Sequence, residues 1–123
     1  MAELKDNEVM LDGKVFALPF TPHIMMQIGS HPKGLQGLAQ SVNALHVPDI
    51  VFIMHTALSQ EEQFKDKDMN EVIFASGGVN DLVLTLRIYL HRLAHGGKTV
   101  DDIADALNNS SSTKKKKASP SKS

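Results

Sequence analysis

The chain has 123 residues, 41% apolar and only 5% aromatic, six Met and no Cys. That length suits one domain with a modest, aliphatic core, and the missing Cys excludes a disulfide framework, a Cys-based zinc site and a thiol nucleophile. Its formal charge of −1 hides a division: residues 1–113 carry 8 Lys and Arg against 14 Asp and Glu, a net −6, and the rest carries five Lys and no acid. The expected organisation is a single helical domain over residues 1–108, followed by a disordered basic Ser/Lys tail over residues 109–123. The first residues lack the apolar core of a signal peptide, and no apolar run reaches membrane-spanning length. The expectation is a cytoplasmic protein with no membrane partner.

In chain order, the first signal is Asp12-Gly13 between two short apolar stretches, Glu8 to Leu11 and Lys14 to Leu18. Asp-Gly supplies the positive φ angles of a type I′ turn, so a β-hairpin is predicted, closed by Pro19. Thr21 followed by Pro22 caps a short helix with Ile24, Met25 and Ile28 on its apolar face, stopped by Gly29 to Pro32. A second helix is predicted over about Lys33 to Leu45, with Leu35, Leu38, Val42 and Leu45 at helical spacing. Pro48 opens a third, whose centre Ile50 to Met54 is apolar all round and so reads as a buried, central element. Ser59 to Gln63 and Lys65 to Asp68 read as a solvated connection.

A shorter helix from Met69 to Ser76 ends at Gly77-Gly78, and the longest runs from Val79 to His95, closed by Gly96-Gly97. Thr99 caps a last helix with Ile103, Ala106 and Leu107 on its apolar side. The fold class predicted is mainly α, a small bundle of five or six short helices with an N-terminal β-hairpin.

No catalytic constellation appears. His91 and His95 have a spacing that can share a metal ion, but Arg92 stands where a zincin carries its Glu and no third ligand is near in sequence, so no metal and no cofactor are expected. Gly77-Gly78 precedes a helix but lacks the pattern of a phosphate loop, and reads as a helix–helix corner. There is no nucleophile turn. In the long helix Val79, Leu82, Val83, Leu86, Leu90 and Leu93 form the predicted core side, with Asn80, Asp81, Thr85, Arg87, His91, Arg92 and His95 opposite. Leu84 and Ile88 fall inside that polar arc. With His91 and His95 they make a second stripe, which either another helix of the domain covers or a partner does. Lys114 to Lys117 in a tail would give only weak, salt-sensitive phosphate affinity. A small DNA-associated regulator using the last helix and the tail is the alternative reading, and nucleic acid is disfavoured by the acidic body.

The order Val9-Met10-Leu11-Asp12-Gly13-Lys14-Val15-Phe16, then Phe20-Thr21-Pro22-His23-Ile24-Met25-Met26-Gln27-Ile28-Gly29, resembles the small tail assembly chaperones of long-tailed bacteriophages and related tail-like particles. Gly37-Leu38-Ala39, the apolar helix Ile50 to Leu58 and a late Gly-Gly before a long helix extend the resemblance over Glu8 to Gly97. Gln27 stands where members usually carry an acidic residue. The resemblance implies a non-enzymatic, mostly helical chaperone in the host cytoplasm. It would bind the tape-measure protein and help recruit tail-tube subunits, either as a monomer or as a homo-oligomer. Helix-in-groove binding would use Leu84, Ile88, Met25 and Met26, with His91 and His95 on the same stripe. Such chaperones are often made in two lengths by programmed frameshifting. The codons of Lys114 to Lys117 suit a slippage tract, and the same run also suits a simple solubilising end.

Overall fold

The hairpin forms as its turn chemistry requires. A computed structural model describes residues 4–108, and in it β1 (Glu8–Leu11) pairs antiparallel with β2 (Lys14–Ala17), Val9 opposite Phe16 and Leu11 opposite Lys14. Asp12 and Gly13 take φ of 53° and 75°, the two positive values a type I′ turn needs. Alternation puts Val9, Leu11 and Phe16 in the core and leaves Met10 and Val15 facing outward, about half exposed. The predicted tail, with Lys114 to Lys117, lies outside the described residues.

Six α-helices follow among the described residues. Helix α1 (Pro22–Gly29) starts where Thr21 Oγ1 accepts the Ile24 N–H at 3.1 Å, and it buries Ile24 and Ile28. Helix α2 (Gly34–Asn43) buries Leu38 and Val42. Leu45, expected on its apolar face, instead has a φ of 58° and is 43% exposed, because the chain turns out of the helix before reaching it. Helix α3 (Val47–Ala57) is the central element foreseen: Ile50, Ile53 and Met54 are fully buried, and it packs on α1, α2 and α4 (Met69–Ala75). Within the connection expected to be solvated, Glu62–Phe64 forms a 3-10 turn. Phe64 is buried there, its ring 4.9 Å from that of Phe16, so this loop is anchored to the hairpin by an aromatic pair.

Helix α4 ends in a glycine motif, with the Gly78 N–H donating to the Ile73 carbonyl. Ser76 Oγ accepts the Asp12 N–H at 2.9 Å and donates to the Val72 carbonyl, fixing the hairpin tip to α4. The long helix is shorter than predicted. Asn80–Leu82 is a 3-10 turn and α5 runs Val83–Ala94, packed along α2. Leu82, Leu86, Leu90 and Leu93 are buried as expected. Tyr89, outside the predicted core list, is fully buried too, its hydroxyl donating to the Pro19 carbonyl at 2.7 Å. Burial pushes the Tyr89 phenol far above its ordinary range.

Arg92, expected in the polar arc opposite the core, has a side chain only 11% exposed. Its guanidinium pairs with Asp6, donates to the carbonyls of Gly97 and Lys98, and lies 4.4 Å from the centre of the Phe20 ring. Helix α6 (residues 100–108) is capped by Thr99, whose Oγ1 accepts the Asp102 N–H. Of its predicted apolar side only Ile103 is buried. Ala106 is exposed and Leu107 is 59% exposed, so α6 inserts a single side chain into the body. Among the described residues no single helix is long and apolar enough to cross a membrane.

Gly97 meets the Phe20 side chain so closely that an added Cβ would stand 2.8 Å from Phe20 Cβ, at a φ of +87°. Gly13 has a φ of +75° with open space around it. Gly97→Ala should therefore cost about 2–3 kcal/mol, from overpacking plus backbone strain, and Gly13→Ala only about 1 kcal/mol from strain alone. Urea unfolding of the two variants measures the difference. Equal losses would mean that the Phe20 contact yields without cost.

Candidate partner-binding surface and a buried carboxylate

Two parts of the molecule concentrate polar chemistry or wet apolar surface. The first surrounds Asp49, in the first turn of α3 and 5% exposed. Lys33, ahead of α2, sends its side chain along that helix to place Nζ on Asp49 Oδ2 and 3.1 Å from Ser41 Oγ. His31 Nε2 stands 3.5 Å from Asp49 Oδ1, and His46 Nε2 lies 3.8 Å from Oδ2. His31 also has its ring 4.9 Å from Phe52. Burial by itself would raise the Asp49 carboxyl, but hydrogen bonds from Lys33 and Ser41, with the charges of Lys33 and His46, outweigh it and hold the group below its ordinary range. This is a structural ion pair joining α2 to α3. Among the described residues no group of three His, Asp or Glu is arranged to hold a metal ion.

The second part is apolar and exposed. Phe74, on α4, is 84% exposed, the most of the large apolar side chains among the described residues. It borders an open groove of about 690 Å³ between α3 and α4, walled by Val47, Val51, Ile73 and Val79, with Asn70, Glu71 and Gly78 at its margin. Phe74 is not among the residues that the sequence singles out. The signal available was its phase: at 100° per residue it points about 100° away from Ile73 and about 160° from Val72.

The residues expected to bind a partner fall in three places. Leu84, in the first turn of α5, is 63% exposed, and Ile88 one turn on is half-buried, so among the described residues no helix covers the start of that stripe. His91 and His95 are exposed at the other end of α5, their rings 4.8 Å apart, with His95 Nδ1 2.9 Å from the His91 carbonyl oxygen. On α1, Met26 is 64% exposed, whereas Met25 is half-buried and packs against the core. Met25 shares a small hollow with Phe20, Pro22, Leu93 and Gly96. It therefore belongs with the C-terminal end of α5, about 14 Å along the helix from Leu84. These residues do not form one compact patch.

No protein-family model matches the chain, and neither a curated protein nor a solved structure matches it to a significant degree.

The Asp49 carboxyl titrates lower in the folded chain than in the unfolded one, so it stabilises the fold at every pH above the ordinary Asp range, near 3.8, and that stabilisation is lost as pH falls through the folded value. Chemical unfolding from pH 6 down to pH 2 should show a decline below about pH 4 that Asp49→Asn flattens. A variant with an unchanged acid limb would remove Asp49 as its source.

Gly37 lies midway between Lys33 and Ser41. A Cβ there would stand 2.8 Å from Lys33 Cβ, on the line the lysine takes toward Asp49. Ala is normally favoured over Gly inside a helix by about 1 kcal/mol. Gly37→Ala should reverse that sign and lower the melting temperature, while Gly29→Ala, with open space around it, should hold or raise it. A Gly37→Ala variant more stable than the parent would show that Lys33 moves freely.

Proposed function

We propose that the chain is a non-enzymatic assembly chaperone of a phage tail or tail-like particle. It binds the tape-measure protein and keeps that long helical chain soluble until tail-tube subunits assemble around it. The observation that carries this reading is the exposure of large apolar side chains on a small, acidic helical body: Phe74 at 84%, Met26 at 64% and Leu84 at 63%. Leaving such side chains wet costs about 2 kcal/mol each relative to burial, and the domain has already satisfied its own core without them. The arrangement suits transient cover for an apolar helix, with the net charge of −6 on residues 1–113 keeping the complex dispersed.

Two further features support it. Met side chains adapt to varied partners, and Met10, Met25 and Met26 all lie at least partly open to solvent. On α6, Asp101, Asp102 and Asp105 are exposed, an acidic face that a phosphate backbone would repel.

The test is co-expression with the tape-measure protein of the same genome. The chain should raise the soluble yield of that protein several-fold, and the two should co-purify. Leu84→Lys and Met26→Lys, both at exposed positions, should fold normally by circular dichroism and weaken the effect. A tape-measure protein equally insoluble with and without the chain would refute the proposal.

A further inference from the structure

We propose that the groove between α3 and α4 takes an amphipathic helix whose apolar stripe is bordered on one side by Lys or Arg. This deepens the chaperone reading and rests on it, by naming the docking site and the chemistry of the bound segment.

The two faces of α4 carry the argument. One face, with Ile73 and Phe74, forms a wall of the apolar groove opposite Val47 and Val51. The other face, with Val72 and Ala75, borders a second cleft of about 340 Å³ lined by Asp12, Asp66, Lys67, Asp68 and Glu71. That cleft sets four carboxylates against one ammonium, and Lys67 Nζ is already 3.6 Å from Asp12 Oδ2. Glu71 lines both spaces, so the apolar groove and the acidic cleft are separated only by α4 itself. A helix seated against Phe74 would bring the residues flanking its apolar stripe over α4, where long basic side chains can reach the carboxylates and cover Phe74 with their stems.

Other occupants fit less well. Phe74 and its four apolar neighbours offer on the order of 300 Å², short of the roughly 800 Å² per partner of a stable dimer. A second copy would also bring its own acidic cleft toward this one. The residues after 108 supply lysines but no Leu, Ile, Val, Met or Phe, so they match the cleft and not the groove.

Two synthetic helical peptides of about 18 residues test this. Both carry the same Leu stripe; one is bordered by Lys and the other by Glu. Titrated with the full chain at low salt and read by fluorescence anisotropy, the Lys-bordered peptide should bind at least about tenfold more tightly. Phe74→Lys should weaken it by about tenfold or more while leaving the circular dichroism and melting curve in place. Glu71→Lys should narrow the gap between the peptides.

Equal affinity for the two peptides, no binding of either, or binding indifferent to Phe74→Lys would overturn the inference. So would a dimer of the free chain that dissociates on Phe74→Lys, which would make a second copy the occupant. The two proposals fail separately. If Phe74→Lys still solubilises the tape-measure protein, the groove assignment falls and the chaperone reading stands. If the parent chain solubilises none, the chaperone reading itself falls.

Discussion

The guanidinium of Arg92 is the contact through which the two ends of this domain are joined. One nearly buried cation holds Asp6 ahead of the hairpin, the carbonyls of Gly97 and Lys98 after α5, and the face of the Phe20 ring. A charge that deep is tolerable only when its donors are satisfied, and here two backbone carbonyls, a carboxylate and an aromatic face do so. Tyr89, one turn earlier, extends the same junction through the Pro19 carbonyl and its ring, 5.1 Å from that of Phe20. The close approach of Gly97 to Phe20 follows from it. At the other end of the hairpin, the Ser76 hydrogen bond to Asp12 and the Lys67–Asp12 pair tie its tip to α4 and the loop before it.

That junction sits at the C-terminal end of α5, and the apolar groove begins beside Val79, ahead of its N-terminal end. The helix is 12 residues long, so the two are separated by about 18 Å. The polar contacts that fix the fold are thus set apart from the surface left open. The Asp49–Lys33 pair plays the same part between α2 and α3, with its carboxylate facing inward beneath Ser41. A protein built this way can present Phe74 and Leu84 to a partner without loosening its own core. Substitutions on that surface should then act on binding rather than on stability, as expected where exposed side chains make few contacts at home.

What could be read from the sequence was local. Asp12-Gly13 specifies its turn by backbone conformation alone, Thr21-Pro22 specifies a helix start within four residues, and Gly77-Gly78 specifies a helix end; each lies where it was expected. The even apolarity of Ile50 to Met54 likewise marks burial without reference to any partner. What could not be read depends on partners far along the chain. Arg92 is buried by a contact with a residue 86 positions away, and Tyr89 by one 70 positions away. On helical phase alone Arg92 belongs with solvent. Phe64 is buried for the same reason, by the Phe16 ring. The candidate site was half legible: Leu84 stands out as an apolar residue in a polar arc, whereas Phe74 sits in a run so apolar that only its helical phase, and not its composition, sets it apart from Val72 and Ile73.

Hydrogen–deuterium exchange on the full chain, alone and saturated with the tape-measure protein, tests the separation of scaffold and docking surface most directly. Added protection confined to α4, the start of α3 and the Gly78–Leu84 stretch, with the exchange around Asp49 and Arg92 unchanged, is the result predicted. Protection that instead spread over the Arg92 junction and α6, sparing α4, would contradict it.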